Sequence, residues 1–183
     1  MKVYRNEPDA CETQFMQRRT LLKLGVAASA VLLVAGGTAS LIKPGLAQGL
    51  LSTSGRAVFA AVSSAVLDKT LPAESTSRQA EIDDLLARID VLVGALPSHA
   101  QDELSQLLAV LASTAGRHGL AGLGTPWAEA SVADVQAALQ GMRLSSLALR
   151  QQAYAALHDI TAGAYFSAPA SWDLLGYPGP IKI

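Results

Sequence analysis

At 183 residues the chain has room for one domain plus a targeting segment, and no room for a second enzyme-sized lobe. Half of the residues are hydrophobic but only 5% are aromatic, with Ala, Leu, Gly and Ser prominent, which suits helices packed through small side chains and disfavours a β-sandwich. The net charge of −1 hides an asymmetry: residues 1–47 carry six basic against three acidic side chains, and the remainder eight against twelve, so the domain lacks the basic stripe that nucleic-acid binding needs.

The first feature in chain order is Gln17-Arg18-Arg19-Thr20-Leu21-Leu22-Lys23, followed by an uncharged stretch from Leu24 to Ile42. A positive n-region ahead of an apolar h-region is the layout of a secretory signal. The motif resembles the twin-arginine pattern Ser/Thr-Arg-Arg-x-Phe-Leu-Lys; it keeps Arg18, Arg19, Leu22 and Lys23 and departs at Gln17 and Leu21. That resemblance implies export to the periplasm by the Tat translocase, a route for proteins that are already folded. Lys43-Pro44 ends any helix, because proline disfavours helical geometry in the residue before it. Gly45-Leu46-Ala47 then offers small residues at −3 and −1, which places signal cleavage after Ala47 and divides the chain into a signal, 1–47, and a domain, 48–183. A retained membrane anchor is the alternative. Nineteen uncharged residues span roughly 28 Å at ~1.5 Å per residue, about the thickness of a bilayer core, although Gly36-Gly37 makes the stretch only moderately apolar. The single cysteine, Cys11, precedes the arginine pair, so residues 48–183 have no disulfide and no thiolate.

The domain itself reads as helices. Val58, Ala61, Val62, Ala65 and Val66 recur at helical spacing within 54–70, and Pro72 closes that segment. A loop over 74–77 ends in a capping box, Thr76 with Gln79. The helix that follows runs to about Leu96, with Ile82, Leu85, Leu86, Ile89, Leu92 and Val93 on one face and Asp83, Asp84, Arg88 and Asp90 facing solvent. A second capping box, Ser98 with Gln101, starts a third helix that buries Leu104, Leu107, Leu108, Leu111 and Ala112. Residues 116–126, with four glycines and a proline, read as a loop. Ser131 to Asp134 opens a shorter helix to about Gln140. Ser145 or Ser146 opens the last long one, which buries Leu149, Ala153, Ala156, Leu157 and Ile160, keeps Arg150, Gln151 and His158 on its polar side, and ends near Tyr165. The expected fold is all-α, a small bundle of about five helices with a non-helical aromatic and proline-rich C-terminal tail, preceded by a signal helix.

Few side chains in the sequence are arranged for chemistry. His99, His118 and His158 are the only histidines, and no two are spaced as metal ligands. Asp83 and Asp84 are adjacent helix positions that point about 100° apart, so they do not converge on one substrate. Gly119, Gly122 and Gly124 have neither a preceding strand nor a following Gly-Lys-Ser/Thr, so they read as a connector and not as a phosphate cradle. No dinucleotide fingerprint and no Gly-x-Ser-x-Gly turn occurs. No catalytic, metal-binding or cofactor-binding residue is therefore expected in this chain.

The tail is different. Residues 165–180 hold four of the nine aromatics, Tyr165, Phe166, Trp172 and Tyr177, together with Pro169, Pro178 and Pro180. Aromatics on a proline-stiffened segment bury large area at small conformational cost, so Tyr165, Phe166, Pro169, Trp172, Gly176, Tyr177 and Pro178 are the candidate partner interface. Folding back onto the bundle's own core is the other reading of the same residues, and both can hold.

The ending Tyr-Phe-Ser-x-Pro-x-x-Trp-x-x-x-Gly-Tyr-Pro-Gly-Pro, with Val66-Leu67-Asp68-Lys69-Thr70-Leu71-Pro72 after the signal, resembles the gluconate 2-dehydrogenase subunit 3 family, the small subunits of periplasmic flavin-dependent sugar and alcohol dehydrogenases. The resemblance covers most of residues 50–180, and its specific part is the last twenty of them. It implies a small subunit without catalytic residues that carries the twin-arginine signal and takes a large FAD-dependent flavoprotein of the glucose-methanol-choline (GMC) type through the membrane as a hitchhiker. FAD is then expected in the partner, and a cytochrome c subunit is a further expected partner. A free-standing periplasmic or membrane-tethered helical binding protein is the alternative.

Overall fold

The computed structural model describes residues 43–172 and 176–179. Arg18, Arg19, Leu22 and Lys23 of the export motif, and the signal helix, lie outside the described residues. The domain is an all-α bundle of five long helices: α1 (Thr53–Val66), α2 (Ser75–Gly94), α3 (Ser98–Ala112), α4 (Val132–Arg143) and α5 (Ala148–Phe166). A hairpin of two-residue strands, β1 (Leu46–Ala47) and β2 (Leu50–Leu51), precedes them, with Leu46 facing Leu51 and Ala47 facing Leu50. Gln48 and Gly49 both take positive φ, 54° and 78°, as a two-residue type I′ turn requires. The sequence gives no strand signal here, because two residues are too few to show a period of two.

Helix α1 touches each of the other four long helices and so forms the axis of the bundle. Ser52 caps it, its Oγ accepting the Gly55 N–H at 3.2 Å. Val58, Phe59 and Val62 are completely buried, and Ala61 and Val66 pack on the edge of the core. The helix ends at Val66, four residues before the expected end. Leu67 accepts both the Thr70 N–H and the Thr70 hydroxyl, which turns the chain and brings Leu67 and Leu71 into the core.

Both expected capping boxes are replaced by other devices. Helix α2 starts one residue earlier than Thr76, with Glu74 as N-cap: its carboxylate accepts the Thr76 N–H at 2.8 Å and the Ser77 N–H at 2.6 Å. Gln79 instead donates to Asp83 Oδ1 at 2.9 Å. Hydrogen bonds from the Ser77 side chain, then from the backbone N–H groups of Ser77 and Thr76, pull the Glu74 carboxyl from its ordinary 4.5 down to about 2. A depressed carboxyl pKa stabilises the fold fully above 4.5, and that contribution fades as pH falls toward 2. Glu74→Gln is therefore expected to melt at a lower temperature than the unsubstituted protein at pH 7. Melting curves at intervals down to pH 2 should show the gap closing below 4.5; a gap independent of pH would contradict the capping role.

At α3 the N-cap is Pro97, which has no side-chain hydrogen bond to offer, and Ser98 is already helical. Gln101 reaches back to the Leu96 carbonyl at 2.9 Å and so ties the α2–α3 connection instead of capping α3. Leu104, Leu108 and Leu111 are buried as expected, with Leu107 and Ala112 packed at the edge of the core. On α2, Ile82, Leu85, Leu86, Ile89 and Val93 are buried. Asp90, expected in solvent, is also buried at 8% exposure: it accepts the Leu51 N–H at 2.7 Å and pairs with Arg56 of α1. A carboxylate is tolerated there because both of its oxygens are partnered.

The glycine-rich segment is partly wound. Ser113 caps a single turn, Thr114–Gly116, which runs into a π turn, Arg117–Ala121. Gly122 ends it in the left-handed region at φ +75°, with the Leu123 N–H bonded to the Arg117 carbonyl at 3.1 Å. The segment packs because Ala121, Leu123 and Trp127 are buried, and the Trp127 indole N–H donates to the Leu111 carbonyl at 2.7 Å. Ser131 caps α4 as expected, accepting the Asp134 N–H, and the helix continues to Arg143. Helix α5 starts at Ala148 with no side-chain cap, and Ser145 accepts the Leu147 N–H. Ala153 and Leu157 are buried, and Ala156 and Ile160 are partly buried. Leu149, expected in the core, is instead 42% exposed, in the first turn of α5.

Candidate functional site

The tail residues divide between core and surface. Tyr165, in the last turn of α5, is buried at 6% exposure, and Phe166 packs edge-on against it with ring centroids 5.2 Å apart. Tyr165 is therefore part of the bundle. Beyond α5, Ser167 donates to the Ala164 carbonyl, and Pro169–Ser171 form one 3-10 turn with Ser171 buried. That turn swings Trp172 back so that its indole N–H donates to the Phe166 carbonyl at 2.9 Å. Tyr177 stands edge-on to Trp172 at 5.3 Å, and the Tyr177 N–H donates to the Trp172 carbonyl. Gly176, next to Tyr177, takes φ +65°, a conformation that glycine adopts without steric cost.

The outward set is therefore Pro169, Gly176, Tyr177 and Pro178, all exposed, with Tyr177 at 46%. Tyr177 is held by Trp172 on one side and open on the other. A fixed, half-exposed aromatic loses little conformational freedom when a partner covers it.

A second apolar patch lies where α4 turns into α5. Leu144, Leu147 and Leu149 are 69%, 61% and 42% exposed and lie within six residues of one another. Scattered exposed leucines need no explanation, but three so close along the chain at one helix connection are candidates for contact with a partner. Beside it, Gly122, Leu123, Thr125, Asp134, Gly141 and Arg150 line an open cleft of about 400 Å³. Among the described residues no carboxylate pairs with Arg150, and its Nε is buried without a hydrogen-bond acceptor. Leu149 alone of the three is singled out in the sequence, as a core position; Leu144 and Leu147 stand at the caps of α4 and α5.

The other polar residues singled out in the sequence do not assemble. His99 and His118 are exposed at separate places, and His158 stacks on Tyr154 at 5.4 Å with its Nδ1 3.0 Å from Asp159. Among the described residues no three of His, Cys, Asp or Glu stand close enough to hold a metal ion. Asp83 and Asp84 are both exposed. The Gly122 N–H points back into the π turn, bonded to Arg117, and is not free to cradle an anion. Ala47 lies in β1, and the bond that follows it opens the hairpin turn.

The fold and its surfaces define a small helical bundle with exposed apolar and aromatic patches. Comparison of the chain with protein-family models, with curated proteins and with solved structures finds no match.

Proposed function

We propose that this chain is the non-catalytic small subunit of a periplasmic FAD-dependent dehydrogenase of the GMC type, carrying the Tat signal that exports the folded flavoprotein and stabilising that partner. FAD belongs to the partner. The observation that most supports the reading is the tail: it folds onto α5 through Trp172 yet leaves Tyr177 and Pro178 at the surface. The leucine corner supplies a second apolar contact of the same kind. A twin-arginine signal on a small helical domain also makes sense when the folded cargo is a second protein that carries its cofactor.

Interface aromatics in such fixed positions commonly contribute about 2 kcal/mol, roughly thirty-fold in affinity. Tyr177→Ala and Leu147→Asp are each expected to weaken the complex by about that factor, measured by titrating the purified flavoprotein onto the variant. Circular dichroism should be unchanged, because both side chains are largely exposed. Truncation after Ser167 should remove the tail contact and keep most of the helix content. Undiminished affinity in all three variants would contradict this docking surface, and loss of all helical signal on truncation would mark the tail as core instead.

A further inference from the structure

The first strand is built into the domain from several sides. The Gly45 N–H donates to the Ser105 carbonyl and the Leu46 N–H to Ser105 Oγ, each at 3.2 Å, which fastens β1 to α3. The Ser52 N–H donates to the Gly45 carbonyl at 3.0 Å, which closes β1 onto the start of α1. Through the hairpin, Leu51 hands the attachment on to Asp90 of α2. Leu46 is buried at 8% exposure and belongs to the core together with Leu51.

Gly45 shows how close this packing is. A Cβ at that position would stand 2.7 Å from the Ser105 carbonyl oxygen and nearer still to Leu108 Cβ. Both neighbours belong to the rigid helix α3, so neither gives way cheaply. Glycine is thus required by close approach here, whatever its suitability as a small residue ahead of a peptidase cut.

A peptidase binds its substrate as an extended strand, using the backbone groups and alternate side chains of the residues before the cut. For cleavage after Ala47 those residues are Gly45, Leu46 and Ala47. In the folded domain the N–H groups of Gly45 and Leu46 and the side chain of Leu46 are already engaged. Cleavage there would require the hairpin to be pulled out of the core.

We propose that β1 is a permanent strand of the domain: the Ala47–Gln48 bond is not cut in the folded chain, and any processing of the export signal falls upstream of Gly45. The inference rests on the twin-arginine reading in one respect, since a chain that folds before transport meets the peptidase with the hairpin already closed.

The test is made on the full chain co-expressed with its partner in a Tat-competent bacterium, by cell fractionation, carbonate washing of the membranes and intact mass measurement. The expected result is an exported chain whose N-terminus lies upstream of Gly45, with β1 complete. An exported chain that begins at Gln48 overturns the proposal. A chain confined to the cytoplasm overturns the export reading itself, and this one with it. Gly45→Ala provides the second measurement: it keeps a small residue for the peptidase but displaces β1 from α3, so a shortened chain beginning at Gln48 should appear. If Gly45→Ala remains uncut, the closed strand is not what protects the bond, and the proposal falls.

Discussion

Replacing Arg18 and Arg19 together by lysine is expected to leave both this protein and the flavoprotein proposed as its partner in the cytoplasm. The substitution keeps both positive charges, so any loss of export is not an effect of net charge. What changes is the planar, five-donor guanidinium fork, which a lysine ammonium cannot reproduce at a bidentate site. In the proposed assembly the flavoprotein has no signal of its own and depends on this chain for passage. Fractionation followed by detection of both proteins should show the periplasmic pool of the partner reduced to near zero. Continued export of the partner in the double variant would refute hitchhiker transport while leaving the bundle and its surfaces as described.

Phe59→Ala is expected to have the largest effect on the fold. Phe59 is fully buried on α1, the helix that every other long helix packs against, so the space left by the ring cannot be filled by movement of one neighbour alone. Burial of this kind is worth about 3–5 kcal/mol on truncation to alanine. That is a large part of the roughly 5–15 kcal/mol that holds a domain together. On the proposed twin-arginine route, which takes folded cargo, the variant should also be exported poorly. Leu149→Ala is the matched control: at 42% exposure its loss should change stability by no more than about 0.5 kcal/mol. Urea unfolding of both variants measures the difference, and similar midpoints for the two would contradict the assignment of α1 as the axis.

Much of the fold is legible in the sequence, because the hydrophobic period of 3.6 is a direct consequence of helix geometry. Ile82, Leu85, Leu86, Ile89 and Val93 are predicted and found on one buried face, as are Leu104, Leu108 and Leu111. Helix ends are less legible, because several local devices compete for the same free N–H groups. Glu74 outcompetes Thr76 as the cap of α2, since a carboxylate offers two acceptor oxygens to two N–H groups at once. At α3 the cap position falls on Pro97, extended at φ −57° and ψ 149°, and Ser98 is already in the first turn of the helix.

Long-range effects are the least legible. Asp90 reads as a solvent-facing residue until Arg56 and the Leu51 N–H, both distant in sequence, are brought to it. Phe59 and Trp127 carry much of the core, yet a search for an apolar stripe passes over Phe59 because it lies beside Val58, and over Trp127 because it follows a glycine-rich run. The hairpin at Leu46–Leu51 is the clearest case. The small residues of Gly45-Leu46-Ala47 fit a peptidase pattern and also fit close packing against α3, and sequence alone does not distinguish the two. In the tail, the concentration of aromatics is visible in the sequence, but the division between buried Tyr165 and exposed Tyr177 is set by the turn at Pro169–Ser171.

The subunit reading is tested most directly by affinity purification of this protein from its native cell envelope, with a flavin absorbance spectrum and mass spectrometry of whatever accompanies it. The account predicts a yellow complex containing a large flavoprotein that lacks an export signal of its own. A colourless chain recovered alone would contradict it and favour a free-standing helical binding protein.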